Sequence, residues 1–212
     1  MNIAGDNNEV SWRVLKAKLD VQPNLELWNE AYSEFHLKRI QLRYLTPIEL
    51  LGKTRSNEGE GFSMVALFCT LIEFLATTES GMNFNVNIRK PRGQENVDGF
   101  EYGQGPGAAY FKELLTRNSS FHPIVPPGSV EDFYKNVRCG LLHEARTRNG
   151  WTIVADSTTS PGPKPIHRDS ISRVLMDYLK DYHARLVVSP DSIPHTPLQA
   201  AFIRKWEHLA TP

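Results

Sequence analysis

Arg138 and His143 are the two residues of this chain whose types and spacing best fit a chemical role. An imidazole, with a pKa of about 6.5, accepts or donates a proton close to neutral pH. A guanidinium is planar and matches two phosphate oxygens at once. The pair therefore predicts proton transfer at a phosphate group. No carboxylate cluster suited to a metal ion accompanies it in the sequence, so we expect neither a metal nor a cofactor.

The stretch that carries both residues has the pattern of one amphipathic helix over 129–146, with Ser129 as its N-cap. On a wheel with about 100° per residue, the core face consists of Phe133, Tyr134, Val137, Leu141 and Ala145. The polar side is expected to carry Asn136, Cys139, His143 and Arg146. Arg138 lies at the edge of the apolar arc, about 140° from His143. The two converge only if the helix distorts, which Gly140 would permit, or if a second copy completes the site.

The composition is that of a globular protein. The chain has 212 residues, of which 40% are hydrophobic and 23% charged, so it is long enough for one sizeable core and too apolar for a disordered chain. Lys plus Arg number 24, and so do Asp plus Glu. A net charge of zero argues against a protein that coats nucleic acid by bulk electrostatics, but not against one that grips RNA through a local patch.

Cysteine use and apolar runs predict a cytoplasmic protein. Cys69 and Cys139 lie in or beside apolar helical stretches and fit no zinc spacing, which predicts two buried, reduced thiols. Residues 1–10 lack the basic and apolar regions of a signal peptide. The longest apolar run, 64–76, is too short for a bilayer core of about 30 Å. We therefore expect no membrane association.

Hydrophobic periodicity predicts a mostly helical chain with a small β-element. The expected helices cover residues 10–19, 24–51, 62–77, 107–115, 129–146, 167–188 and 198–209. Asn24 is the expected N-cap of the second helix, and Pro47 kinks or restarts it. Short strands are expected over 83–89 and 151–155, with loops over 91–107 and 157–165. This pattern predicts a single all-α domain, an antiparallel helical bundle over 1–212. Residues 1–10 would be a flexible tail, 83–107 a loop or β insertion, and 190–212 a C-terminal helical appendage.

Arg138-x4-His143 on a late helix of such a bundle resembles the R-x(4–6)-H motif of the HEPN superfamily. The surrounding residues, from Phe133-Tyr134 through Asn136-Val137-Arg138-Cys139-Gly140-Leu141-Leu142-His143, are similar to a bacterial branch of that superfamily. The buried helix 61–75, with its internal Glu73, and the late helix 167–187 stand in the expected order. The resemblance covers residues 25–190 loosely and 133–146 well.

The resemblance implies an all-α HEPN-like domain that forms a homodimer, in which two R-x4-H motifs meet in a composite cleft. Many members are metal-independent RNases of toxin, abortive-infection or CRISPR-linked antiviral defence systems. RNA would be the substrate, Arg138 and His143 the catalytic residues, and an antitoxin or defence-system protein the restraining partner. The chemistry fits, because a 2′-hydroxyl attacks its neighbouring phosphate when a base takes its proton and an acid protonates the leaving 5′-oxygen. Two copies would supply two imidazoles.

Glu73, Asn136, Cys139 and Arg146 are the further candidate binding residues. Glu73, within an apolar run, needs a partner and either orients a site arginine or forms a structural ion pair. Asn136 would hydrogen-bond a phosphate or be a plain surface amide. Arg146 would hold an RNA backbone, although the helix dipole also favours an exposed arginine at a helix C-terminus. Cys139 stands where active HEPN members often carry a polar residue.

Two other readings remain open. His143 is alternatively a solvent-facing helical histidine or one that caps a backbone carbonyl, and Arg138 alternatively closes a salt bridge with Glu73 or Asp132. In one reading of the whole chain, the same helix face belongs to a non-catalytic HEPN module that binds a nucleotide or RNA, or serves as an assembly subunit, which Cys139 and the neutral net charge favour. A helical interaction protein with no ligand would leave Arg138 and His143 pointing to solvent.

Overall fold

The computed structural model describes residues 2–54, 59–88, 99–103, 105, 107–155 and 162–211. Most of them are helical, which confirms the predicted all-α class at that level. The α-helices are α1 (Glu9–Val21), α2 (Leu25–Glu30), α3 (Lys38–Ile40), α4 (Thr46–Thr54), α5 (Glu60–Ser80), α6 (Gly107–Arg117), α7 (Val130–Phe133), α8 (Cys139–Glu144), α9 (Ile171–Leu186) and α10 (Pro197–Ala210). Short 3-10 turns cover Ser119–Phe121, Pro127–Ser129 and Arg168–Ser170.

Several helix starts are set by side-chain caps. The Asn8 side chain accepts from the backbone N–H groups of Val10 and Ser11 at the start of α1. Asn24 accepts from Leu27 N at 3.0 Å, which confirms it as the N-cap of α2. Thr196 and Gln199 form a reciprocal capping box at the start of α10.

The predicted second helix is confirmed in extent but is not regular. It includes wide π-helical turns over Ala31–Leu37 and Gln41–Leu45, on either side of α3. Pro47 lies just after the second wide turn, and the helical stretch continues through it along α4 without a break.

Helix α5 is longer than the sequence pattern indicated, because it continues on both sides of the apolar run. It spans 21 residues and ends before Gly81, whose φ of +65° is left-handed. Its length and hydropathy would allow it to cross a membrane. The expectation that the apolar run 64–76 is too short for a bilayer core was therefore wrong for the whole helix, which extends beyond that run. However, 61% of its most apolar window is buried inside the protein, as in the core helix of a soluble protein.

The strands are short and pair two by two. Strands β1 (Asn2–Ala4) and β2 (Asn7–Asn8) form an antiparallel pair. The other two pairs are parallel: β3 (Asn83–Phe84) with β4 (Glu101–Tyr102), and β5 (Trp151–Val154) with β6 (Lys164–His167). Within residues 83–88 of the strand predicted over 83–89, two residues form a strand, and residue 89 lies outside the described residues. Residues 164–167 form a strand where a loop, then a helix from His167, was expected. Of the predicted loops, residues 91–98, 104, 106 and 157–161 lie outside the described residues.

The prediction of a flexible tail over 1–10 was wrong. The side chain of Ile3 is 1% exposed, and its carbonyl accepts a hydrogen bond from Arg39 Nη1 at 2.5 Å. A buried apolar side chain and a bonded carbonyl hold the first strand in place.

The chain forms two compact units. The first consists of Met1–Leu42, Leu75–Gly107 and Leu179–Pro212, and the second of Arg43–Phe74 and Ala108–Tyr178. The sequence led us to predict one domain over 1–212, without this division.

Aromatic side chains form the core of the first unit. Trp12 packs edge-on against Phe35, with ring centroids 5.2 Å apart, and Trp28 packs against Phe202 at 6.1 Å. Trp206 is fully buried beside them. Because Phe202 and Trp206 belong to α10, the prediction that 190–212 is an appendage was wrong: this helix supplies part of the core.

The second unit has its own aromatic core. Phe121 packs on Tyr178 at 5.0 Å, and Phe133 packs edge-on against Trp151 at 5.3 Å. Phe133 belongs to the helical stretch that carries the Arg138 and His143 motif. The apolar side of that stretch is therefore anchored in this core.

We expect the first unit to lose stability in acid because of His36. This residue is fully buried between Tyr32, Tyr182 and aromatic rings of α10, and burial, together with the charge of Arg39, lowers its pKa to about 3. Because the pKa of His36 is lower in the folded state than in the unfolded state, its neutral form favours folding. The contribution of His36 to the free energy of unfolding is complete above the unfolded pKa and is lost as the pH falls from there towards 3. The loss approaches about 1.4 kcal/mol per pH unit.

Denaturant titration between pH 7.5 and 4.5 measures this effect. His36→Phe replaces the imidazole by a ring that cannot titrate, so this variant should lose less stability across that range than wild type. Parallel pH dependences of the two proteins would show that His36 does not contribute.

Candidate functional site

The helical stretch that carries the motif is built from four short pieces. It begins with the 3-10 turn Pro127–Ser129, continues as α7, widens into a π-helix over Tyr134–Arg138 and returns to α-helix in α8. Ser129 is the N-cap residue of α7, at the predicted position, but its side chain makes no capping hydrogen bond. The expected distortion exists, but it lies before Gly140. Such π turns are frequent at functional sites.

The π-helical turn Tyr134–Arg138 and Gly140 contact the chain that returns after α8, which is a different role from bringing Arg138 and His143 together. The Asn136 carbonyl, which lies in the wide turn, accepts from Arg148 N at 3.0 Å. Arg146 N donates to the Gly140 carbonyl at 3.3 Å, and a Cβ on residue 140 would collide with the Arg146 carbonyl oxygen. Helix α8 ends at Ala145, whose φ is +53°. The glycine thus serves the close approach of the returning chain.

Arg138 is held by two neighbours in the second unit. Its Nη2 donates to Glu73 Oε2 of α5 at 3.0 Å, and its guanidinium carbon lies 5.4 Å from the centre of the Tyr134 ring. The side chains of Arg138 and Glu73 are 22% and 28% exposed. This is the ion pair that we considered for these two residues, and it fixes one edge of the guanidinium.

The other guanidinium N–H groups of Arg138 have no hydrogen-bond acceptor within the described part of the chain. A guanidinium has five N–H donors, and a single carboxylate oxygen here accepts from one of them. The arginine is therefore oriented by protein and still has donors for an external anion.

The two thiols differ in their surroundings. Cys69 of α5 is buried, as predicted, and burial raises its pKa to about 12 despite the opposing charge of Arg138. Cys139 follows Arg138 and is only half-buried, so its predicted full burial was wrong. A half-buried thiol is a weak donor and acceptor, which gives Cys139 little capacity to bind a charged ligand.

His143 is exposed in the last turn of α8. Its ring makes no hydrogen bond with any residue that the structure describes, so it caps no carbonyl there. The wheel had placed it away from the core, and the structure agrees. An unrestrained surface imidazole is free to reach an external group, but nothing in this chain orients it.

Asn136 belongs to a polar cluster around Asp132. The Asp132 carboxylate accepts from Asn136 Nδ2 at 2.8 Å, Asn149 Nδ2 at 2.6 Å, Trp151 Nε1 at 2.6 Å and Lys164 Nζ at 2.8 Å. The hydrogen bond from Lys164, helped by those from Asn149 and Trp151, lowers the pKa of Asp132 well below its usual range. The cluster joins the motif helix to β5 and β6, so the Asn136 amide has a structural partner.

Arg146 lies on the surface and is paired with Glu144. Its Nε donates to Glu144 Oε2 at 2.8 Å, and Arg148 contacts the same carboxylate. Arg146 is 64% exposed. The charge of Arg146, which was expected to hold an RNA backbone, is thus partly neutralised by the last residue of α8.

The structure therefore brings Glu73, Arg138 and Cys139 together. The other three candidates lie apart from them, since Asn136 binds Asp132, His143 is exposed and Arg146 pairs with Glu144. Two residues that shape the site, Tyr134 and Lys112, were not predicted from the sequence. Tyr134 was assigned to the core but lies half-buried beneath Arg138, and Lys112 of α6 lies 5.8 Å from the same ring. The spacing of Tyr134 and Arg138, i and i+4 on one helix, was the signal that could have indicated their contact.

The arrangement provides an oriented cation with free donors, an aromatic ring beneath it and a free imidazole five residues later. No group of three or more His, Cys, Asp or Glu side chains placed to hold a metal ion occurs among residues 2–54, 59–88, 99–103, 107–155 and 162–211. Compared with protein-family models, curated proteins and solved structures, the chain has no significant match.

Proposed function

We propose that this chain is a metal-independent RNA endonuclease of the HEPN type, with an HEPN-like bundle, that acts as a homodimer. The observation that supports it most is the state of Arg138. One edge of its guanidinium is fixed by Glu73, while its remaining N–H groups lack an acceptor in the described structure. Such a preorganised cation suits the charge that develops on a phosphate during cleavage.

A second copy is needed because cleavage takes two proton transfers and each copy supplies one motif histidine. Within one copy, Arg138 and His143 lie about 7.5 Å apart along the axis of α8 and about 140° around it, so they do not share one narrow helix face. In a symmetric dimer, the two motifs would line one composite cleft around a common phosphate.

Cleavage then requires two proton transfers and no cofactor. One His143 takes the proton of the ribose 2′-hydroxyl, and the 2′-oxygen forms a bond to the adjacent phosphorus. The bond from phosphorus to the 5′-oxygen breaks, and the second His143 protonates that oxygen. Arg138 stabilises the negative charge on the phosphate oxygens. The products are a 2′,3′-cyclic phosphate and a 5′-hydroxyl.

We place this activity in the cytoplasm of a bacterium, in a toxin–antitoxin, abortive-infection or other antiviral defence setting. An RNase of broad action endangers its own cell. We therefore propose that an antitoxin or a defence-system partner restrains it. This assignment is supported by the resemblance of residues 133–146, with the Arg138-x4-His143 motif, to the HEPN superfamily.

His143→Ala tests the proposal directly. We expect the wild-type protein to cleave a labelled single-stranded RNA in the presence of EDTA, and the variant to cleave it about 10²–10⁴-fold more slowly, because its proton donor and acceptor are lost. Denaturing gels of timed samples measure the rate. Mass spectrometry of the fragments should show cyclic phosphate ends.

The matched control is His122→Ala, which removes a half-buried histidine of the same unit whose Nε2 lies 3.2 Å from the Thr116 carbonyl oxygen. It should cleave like wild type. An RNA with a 2′-deoxyribose at the cleaved position should remain intact there. Equal cleavage by wild type and His143→Ala, or none by either, would refute the assignment.

The ion pair itself favours a second candidate, a non-catalytic module that binds RNA or a nucleotide. Glu73 already compensates the charge of Arg138, and Cys139 offers no strong polar group beside it. Fluorescence anisotropy with labelled RNA and with nucleotides distinguishes the two. Binding that depends on Arg138 but yields no product would select the non-catalytic module.

A further inference from the structure

Helix α1 exposes a continuous apolar stripe. Val10, Val14, Ala17 and Val21 follow one another at steps of four, three and four residues, which places them within an arc of about 60°. The three valines are 67%, 55% and 77% exposed. The opposite face of α1 is buried through Trp12, Leu15 and Leu19. The stripe is therefore additional to the face that anchors the helix.

The valines cost the isolated protein stability. Valine is a poorer helix former than alanine or the charged residues that normally cover an exposed helix face. None of them contributes to the core described above. Single exposed apolar residues are ordinary, but an aligned series of them on one helix face is typical of a binding surface.

The stripe leads into a groove at the turn between α1 and α2. This cavity, of about 440 Å3, is lined by Ala17, Lys18, Val21, Gln22, Asn24 and Leu27. Leu25, at the start of α2, is 50% exposed beside it. The apolar surface of α1 thus ends in a depression able to receive a side chain of a partner.

Basic residues stand at both edges of the stripe. On the wheel, Arg13 precedes it by about 40° and Lys18 follows it by about 40°. Lys18 has no ionic partner in the described part of the chain, and Arg13 pairs with Glu9 in a surface contact. From Val10 to Val21 the stripe is about 16 Å long, which matches three turns of a helix.

We propose that this stripe and groove bind an amphipathic helix of a partner protein, with acidic residues on both sides of its apolar face. Apolar side chains of the partner would cover the valines and enter the groove, and its carboxylates would meet Arg13 and Lys18. The inference is independent of RNA cleavage, since none of the motif residues contributes to this surface.

The test uses two synthetic helical peptides of about 15 residues, long enough for three to four turns. Both carry leucines at helical spacing, flanked by glutamate in one and by lysine in the other. We expect the full-length protein to bind the acidic peptide at least tenfold more tightly than the basic one in fluorescence anisotropy. Val14→Asp/Val21→Asp should weaken binding of the acidic peptide at least tenfold. Arg13→Glu/Lys18→Glu should reverse the preference.

The matched control is Val188→Asp, which adds an acid at a valine that is 74% exposed outside the stripe, and it should bind like wild type. Val14→Ala/Val21→Ala should fold with an unchanged or higher melting temperature and bind weakly, which separates docking from stability. Equal binding of both peptides, no binding, or binding unaffected by the aspartates would overturn the proposal. So would a wild-type dimer that Val14→Asp/Val21→Asp converts to a monomer, because a second copy would then be the occupant.

Discussion

Replacing Arg138 with alanine is expected to lower the rate of RNA cleavage by about 10²–10³-fold, the usual effect of losing one preorganised group that stabilises developing negative charge. The guanidinium is the one motif group that the protein itself orients, through Glu73 and Tyr134. Steady-state and single-turnover assays on a labelled RNA give the rate of the chemical step. A variant that binds RNA as tightly as wild type but does not cleave it would match this role.

Two further variants separate charge from geometry. Arg138→Lys keeps the charge but cannot donate to Glu73 and a phosphate with the same planar fork, so its rate should fall nearly as far. Glu73→Gln keeps a hydrogen-bond acceptor and leaves the guanidinium in place, so its rate should fall much less. Melting temperatures of all variants show whether any loss reflects unfolding. Full activity of a folded Arg138→Ala protein would exclude the arginine from the mechanism.

Replacing Arg168 with methionine is expected to destabilise the protein by about 3 kcal/mol, because it removes the cation from a buried ion pair. Arg168 Nη1 lies 2.9 Å from Glu60 Oε1, and the two side chains are 8% and 4% exposed. A carboxylate that stays buried without this cation keeps its desolvation cost and loses the compensating attraction. Denaturant unfolding at pH 7 measures the difference.

The double variant Arg168→Met/Glu60→Leu is the informative comparison. Removing both charges removes the desolvation cost as well, so we expect this variant to recover most of the lost stability. Arg173→Met, at an exposed arginine on α9, should change the free energy of unfolding by less than about 0.5 kcal/mol. A double variant no more stable than Arg168→Met would contradict the ion-pair explanation.

Local patterns were enough to predict most helices. Asn24 was identified as a cap because its side chain acts on a backbone N–H only three residues away. The wide turns and the new strands could not be predicted in this way. Strand β6 includes Pro165, an unfavourable strand residue, and exists through its pairing with β5. Ile3 is held by Arg39, which is distant in sequence.

In the candidate site, too, features set by nearby residues could be predicted from the sequence, and features set by distant residues could not. The polar position of His143 followed from the helical wheel. The Arg138 and Glu73 pair was one of the alternatives that residue chemistry suggested, and the structure selected it over Asp132. The role of Asp132 could not be predicted, because three of its four donors lie on segments that return to the motif helix from later in the chain.

The most direct test of the shared site is cleavage by mixed dimers. Wild-type chains are co-expressed with differently tagged Arg138→Ala/His143→Ala chains, and the rate per total protein is measured against the wild-type fraction. If each dimer needs motif residues from both copies, an equal mixture should retain about one quarter of the wild-type rate, since about one quarter of randomly paired dimers contain two intact copies. A rate of about one half would mean that each copy works alone, which contradicts a site formed across a two-fold axis.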